Sequence, residues 1–181
     1  MTRLRFRRAT PADVPALVAL VTSAYRGEPS RSGWTTEADL LDGGRITPAL
    51  VEDALAQANT RIVLAESAEP GDGELLACAR IDVTEGVGEF GLFAVRPWQQ
   101  GHGIGRTLLM EAEQTARDEL GATRMTMCVI DARLELIGWY ERRGYRRSGE
   151  YRPFPYGDER FGIPKRDDLR FAVLEKLLSE A

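Results

Sequence analysis

Residues 92–106 read LFAVRPWQQGHGIGR. The apolar run Leu92–Val95 has the character of a buried strand, and Pro97, with no N–H to give to a ladder, closes it. Gly101, Gly103 and Gly105 follow at alternate positions, and a helical pattern starts directly after them. A strand, a glycine-rich turn and a helix N-terminus together make an anion site. The first N–H groups of the helix have no internal partner, the dipole favours negative charge there, and glycine lets a phosphate approach the backbone closely. The plain alternative is a tight strand-to-helix turn.

Two well-known phosphate loops do not fit. A Walker loop ends in Gly-Lys-Ser/Thr, whereas Gly105 is followed by Arg106 and Thr107. A Rossmann fingerprint starting at Gly101 needs a glycine where Arg106 stands. The spacing Gln100-x-x-Gly103-x-Gly105 instead resembles the acetyl-CoA loop of the GNAT N-acetyltransferases, Gln/Arg-x-x-Gly-x-Gly/Ala. That resemblance implies that Gln100 and the amides of Gly101, His102, Gly103, Ile104, Gly105 and Arg106 hold the pyrophosphate of coenzyme A.

The chain as a whole limits the alternatives. Its 181 residues suffice for a single core, so residues 1–181 are expected to form one domain. A hydrophobic share of 43% with 29% charged residues is a soluble, globular balance. A net charge of −4 argues against a nucleic-acid partner. No apolar run approaches the roughly 18 residues of a membrane span. The basic start MTRLRFRRAT lacks the apolar core of a signal peptide, so the expected location is cytoplasmic. Cys78 and Cys128 lie in apolar stretches and read as free thiols in a reducing compartment. The single histidine, His102, belongs to the glycine loop. Neither a His-x-x-x-His zinc pair nor a Ser-His-Asp relay can be assembled, and no metal is expected.

Periodicity supplies the elements. Arg3–Arg8 alternates as a strand. Thr10, Pro11 and Asp13 then signal a helix start, followed by Val14, Leu17, Val18, Val21 and Tyr25 at helical spacing. Gly27 and Pro29 end it, residues 29–45 are irregular, and a short helix follows Pro48. Strands over Ile62–Ala65, Leu75–Val83 and Glu89–Val95, joined by turns at Glu69–Gly73 and Glu85–Gly88, imply an antiparallel meander. A helix carrying Ile104, Leu108, Leu109, Ala112 and Ala116 runs to Leu120 and stops at Gly121. A strand over Arg124–Ile130, a helix over Ala132–Arg143, a strand over Arg146–Tyr151, a long loop over Tyr151–Asp168 and a last strand over Leu169–Lys176 complete the chain.

This order matches the GNAT family along essentially the full length. The resemblance implies an α/β (α+β) fold: a mixed, mostly antiparallel, twisted sheet of six to seven strands flanked by about four helices. Its central parallel pair splays apart, and pantetheine enters the gap. The implied activity is acetyl-CoA-dependent transfer to a primary amine of a small molecule or peptide, by direct attack in a ternary complex. A non-catalytic acyl-CoA-binding module on the same fold is the competing reading.

The resemblance also assigns roles. The backbone of Phe93, Ala94 and Val95 would meet the acetyl oxygen and pantetheine, where an N–H also stabilises developing negative charge. Residues 138–145, GWYERRGY, resemble the family's Tyr-x-x-x-Gly-Phe/Tyr ending, which makes Tyr140 the general acid for the leaving thiol. Many members carry Asn where this chain has Arg133, which either replaces that contact or reaches a coenzyme phosphate. Glu89 is the candidate base, with Glu85 and a water chain as alternatives. The acceptor pocket is expected from Trp34, Glu37, Asp39 and Asp42, and from Tyr151, Phe154, Tyr156, Asp158, Glu159 and Phe161. Such aromatic and acidic groups suit a cationic amine. The stretch Tyr151–Phe161 is equally suited to packing a homodimer partner.

Overall fold

A computed structural model describes residues 3–69 and 73–178. The turn expected at Glu69–Gly73 therefore falls largely outside the described residues. In chain order the elements are β1 (Leu4–Arg8), α1 (Val14–Tyr25), the four-residue α2 (Gly27–Ser30), β2 (Leu41–Asp42), α3 (Pro48–Ala56), β3 (Thr60–Ser67), β4 (Leu75–Thr84) and β5 (Val87–Val95). They continue with α4 (Ile104–Leu120), β6 (Arg124–Ile130), α5 (Leu134–Glu141), β7 (Arg146–Pro153), β8 (Ile163–Pro164) and β9 (Arg170–Leu177). Seven strands form one sheet in the order β1-β3-β4-β5-β6-β9-β7, and β2 pairs with β8 beside it. Among the described residues only β5 and β6 run parallel; the other pairings are antiparallel. This is the mixed sheet expected from the sequence.

Helices cover both faces of the sheet, which is why β3 is buried along nearly its whole length rather than on alternate residues. On one face α1 and α3 place Leu17, Leu20, Val21 and Val51 against Ile62, Leu64, Cys78 and Ala94. On the other, α4 packs Ile104, Leu108, Leu109 and Ala112 against Val63, Ala79 and Ile81, with Ile137 and Tyr140 of α5 alongside.

Two departures from ideal sheet geometry lie at the end of β5. Arg80 pairs with Gly91 and Cys78 with Ala94, so Leu92 and Phe93 stand opposite Ala79 alone. Leu92 adopts φ +50°, a left-handed conformation rare for a leucine. The extra residue shifts the phase of the strand. Phe93 consequently packs on the same face as Phe90, with ring centroids 5.1 Å apart, while Leu92 and Ala94 face α1. The second departure is the parallel pair itself. β5 and β6 are paired only at Val87–Arg124, Gly88–Met125 and Glu89–Thr126, and then diverge.

Two sequence readings need correction. The helix expected from Ala132 to Arg143 spans only Leu134–Glu141, because the Asp131 N–H bonds the Arg170 carbonyl of β9 and holds the chain in a turn. The long loop expected over Tyr151–Asp168 is partly ordered. β7 continues to Pro153, Glu159–Phe161 makes a 3₁₀ turn, and Ile163–Pro164 pairs with Leu41–Asp42. Phe154 anchors this return against Leu41, Ile130 and Leu169.

The entry to α1 is fixed by charge. Arg7 of β1 bonds the Asp13 carboxylate at 2.6 and 2.8 Å, and Asp13 accepts the Thr10 N–H at 2.7 Å. The Arg7 hydrogen bonds hold the Asp13 carboxyl well below its ordinary range, outweighing burial. A carboxyl depressed by folding stabilises the fold above its unfolded pKa, near 3.9, and that contribution is lost as pH falls toward its folded value. Asp13→Asn should lower the melting temperature at pH 6, and its difference from the unaltered protein should shrink as pH is taken below about 3. Thermal melts across that range test both the sign and the window.

Candidate functional site

Where β5 leaves β6, two cavities share a wall. The larger, about 320 Å³, runs from the glycine loop to α5. Phe93, Ala94 and Val95 form one side, Gln100, Gly101, Gly103, Gly105 and Arg106 the mouth, and Trp139, Tyr140 and Arg143 the other side. The smaller, about 80 Å³, lies toward β6 and contains Glu37, Arg45 and Arg133. Tyr25, Phe93, Leu136 and Tyr140 line both.

The loop is built for close approach. Gly101 and Gly103 have φ of +84° and +87°, and a Cβ at either would meet nothing within 4 Å, so the space above them is open. The first bond of α4 runs from Thr107 N–H to Gly103 O at 3.1 Å, leaving the amides ahead of it at the exposed helix end. A Cβ at Gly105 would come within 3.3 Å of the Phe93 ring and 3.7 Å of Trp139. Gln100 does not face outward. Its amide nitrogen donates to Val95 O at 3.1 Å and its oxygen accepts from Thr35 N at 3.3 Å, which ties the loop to the strand end. Ile104 is buried in the core below, and His102 is exposed and outside the cavity lining. Arg143 lies 3.5 Å over the Trp139 ring and donates to Trp139 O at 2.6 Å. Burial, with Arg142 and Arg106 nearby, lowers its pKa, and Arg106 and Arg143 together place two cations on the cavity lining.

Tyr140 is buried, with ring contacts to Phe93, Trp139 and Tyr145. Burial raises its pKa well above the ordinary phenol value. Across the wall, the Tyr25 hydroxyl donates to Phe93 O, the carbonyl that the bulge turns out of the ladder.

Glu37 is the hub of the smaller cavity. Its carboxylate accepts from Arg26 at 2.6 Å and from Arg133 at 2.9 Å, with Arg45 3.9 Å away. Burial alone would raise its pKa, but Arg45, Arg133 and Arg26 together lower it. Arg133 also bonds Thr35. It therefore turns inward to Glu37, away from the glycine loop.

The structure thus brings Tyr140, Phe93, Ala94, Val95, Gln100, Gly101, Gly103, Gly105 and Arg106 together around one cavity. It does not bring Glu89 there. Glu89 is exposed and lines clefts with Arg80 and Asp82 and with Arg124 and Arg152. Strand alternation turns it away from Phe90, whose face carries Tyr140. Glu85 is exposed in the β4–β5 turn. Of the expected acceptor residues, Trp34 lines the large cavity and Glu37 the small one. Asp39 pairs with Arg31, Asp42 with Lys165 and Asp158 with Arg160. Sequence reading missed Tyr25, Thr35, Arg45, Trp139 and Arg143 as lining residues. Only the Trp139–Arg143 pair carried a signal, an aromatic and a cation one helical turn apart. Among the described residues no cluster of metal ligands occurs, and no helix is long and apolar enough to cross a membrane.

The model of the acetyltransferase (GNAT) family matches residues 22–145. No curated protein matches the sequence. Among solved structures, the nourseothricin acetyltransferase is 20% identical with a TM-score of 0.67, covering 98% of this chain and 100% of its own. The ribosomal-protein-S18-alanine N-acetyltransferase from Escherichia coli is 15% identical with a TM-score of 0.69, covering 99% and 96%. The spermidine/spermine N-acetyltransferase from Vibrio cholerae is 14% identical with a TM-score of 0.68, covering 98% and 94%. At these identities the likeness is one of fold.

Glu37→Gln would leave three guanidiniums facing one another without their shared anion. Breaking such a buried pair costs about 3–5 kcal/mol, and urea unfolding should register a loss of that order.

Proposed function

The chain belongs to the GNAT acetyltransferase family, and from that premise we propose that it is an N-acetyltransferase. It takes acetyl-CoA as donor and a primary amine of a small molecule or peptide as acceptor, both held at once. The observation that carries this reading is the position of Tyr140, buried in the wall common to the two cavities.

The residues present fit such a donor. The open space above Gly101 and Gly103, the amides at the start of α4, and the cations Arg106 and Arg143 suit a diphosphate. The large cavity suits a narrow pantetheine arm. When bound, acetyl-CoA supplies the activated thioester. Main-chain N–H groups around Phe93 to Val95, freed by the divergence of β5 from β6, would hold the acetyl oxygen of a bound donor. Burial raises the Tyr140 pKa, so the phenol is protonated at neutral pH and would hydrogen-bond and donate its proton to the departing thiolate sulfur, the proton being restored from the amine nitrogen as the amide forms. Arg133 leaves the coenzyme-binding set, because Glu37 and Thr35 engage its guanidinium. An alkylammonium is deprotonated only about once in 10³ at pH 7. We assign the loss of its proton to solvent rather than to Glu89 or Glu85, both of which lie outside the two cavities. Free Cys78 and Cys128 suit a reducing compartment, and on that ground we infer a cytoplasmic enzyme.

Release of free coenzyme A from acetyl-CoA, followed across amino acids, polyamines, aminoglycosides and peptides, tests the reaction. With an accepted amine, Tyr140→Phe should lower kcat by about 10²–10⁴-fold while coenzyme binding is retained. Full activity of that variant across the pH range overturns the acid role. Glu89→Gln should stay within about twofold of the unaltered enzyme. Gly105→Val, which crowds Phe93 and Trp139, should weaken coenzyme A binding about tenfold or more in calorimetry without unfolding the protein.

A further inference from the structure

The smaller cavity carries more positive charge than it can neutralise. Arg45, Arg133 and Glu37 line it, and Arg26 lies directly behind Glu37. One carboxylate thus serves three guanidiniums. Its two oxygens are already taken at short range by Arg26 and Arg133. Arg45 remains 3.9 Å away, too far for a hydrogen bond, and its buried Nε has no partner. The guanidinium is nonetheless held in place, 5.0 Å over the Tyr25 ring. The other titratable groups facing this space, Tyr25, Cys128 and Tyr140, all have raised pKa values with burial as the leading cause, so they add no negative charge at neutral pH.

Arg26 and Arg133 are buried and paired, while the Arg45 side chain, 30% exposed, keeps its terminal nitrogens available to an incoming anion. The coenzyme's phosphates belong at the glycine loop, on the far side of the wall formed by Tyr25, Phe93, Leu136 and Tyr140. The part of the donor that reaches that wall, the thioester, is neutral. Glu89 and Glu150 act on the Cys128 side of this cavity, whereas at Arg45 an acceptor is the group positioned to bring negative charge.

We propose that the acceptor bears an anionic oxygen group close to its amine, a carboxylate or an equivalent phosphorus oxyanion, and that Arg45 is its principal contact. The proposal rests on the N-acetyltransferase reading and narrows its substrate class to amino-acid-like amines. It reverses the expectation that Glu37 attracts a cationic amine, because that carboxylate is already neutralised within the fold. A space of about 80 Å³ admits a compact charged head beside the amine. The planar Arg45 fork can give it the two parallel hydrogen bonds that a carboxylate accepts.

The test uses matched acceptors on the full chain: each amino acid, its carboxamide and its decarboxylated amine, and aminoalkylphosphonates for the phosphorus case. Coenzyme A release gives kcat/KM, and calorimetry on the protein saturated with coenzyme A gives affinity. The best amino acid or aminoalkylphosphonate should exceed its uncharged counterparts by roughly tenfold or more in both measures. Arg45→Gln should collapse that ratio toward unity, and Arg45→Lys should restore part of it. Retained coenzyme A affinity and an unchanged unfolding midpoint show that Arg45→Gln is intact. Amides or plain amines that equal or exceed the acids overturn the proposal, as does a ratio that survives Arg45→Gln. If no compound releases coenzyme A, the transferase reading fails, but calorimetry still decides the anion site. Heat from the acids alone supports it, and heat from neither class overturns it.

Discussion

Main-chain groups that a sheet leaves unpaired must find other partners, and in this molecule the pairing of β5 with β6 stops after Glu89 and Thr126. The divergence opens space in the middle of the sheet, where the packing is otherwise dense on both faces. The bulge at Leu92 acts together with it. One extra residue puts Phe93 on the face of α5 and turns its carbonyl toward Tyr25, so that a helix on each side of the sheet borders the same opening. Without that change of phase, Phe93 would point toward α1, and the wall between the two cavities would lose its central ring.

The glycine loop depends on the same opening. It follows β5 directly, and Gln100 fixes it by bonding both Val95 at the strand end and Thr35 in the segment after α1. The N-terminal end of α4 is therefore held in register with the strand that borders the cavity. The glycine loop at one end of the large cavity and Tyr140 at the other are linked through a few residues of backbone. The buried network around Glu37 adds a second tie. It joins Arg26 at the end of α1 to Arg133 at the start of α5, so elements on opposite faces of the sheet are connected by charge as well as by packing.

Much of this could be read along the chain, for reasons that are local. The strand, glycines and helix of residues 92–106 form one continuous signal, and each part has a steric or electrostatic cause within a few residues of itself. The meander up to Val95 and the stop of α4 at Gly121 follow from period and from glycine at φ +70°. Tyr140 could be named because its segment matches a family ending, and it does border the cavity. Glu89 shows where that approach stops. A carboxylate near a loop in sequence lies on whichever face of the strand its parity dictates, and parity here turns it away from Tyr140. The stretch Tyr151–Phe161 was harder still, since its order comes from contacts with Leu41 and Ile130, more than a hundred and about twenty residues distant.

The sequence by itself determined the order of the main elements, the glycine-rich turn between strand and helix and the lack of a second histidine, because propensity, periodicity and spacing act over short range. Only the tertiary structure decided which charges are spent and which are free. Glu37, Arg26, Arg45 and Arg133 are scattered over more than a hundred positions, and nothing in their spacing tells that three cations share one anion. That outcome is set by how deeply folding buries them and by which oxygens it brings within bonding distance, quantities that exist only once the chain has closed on itself.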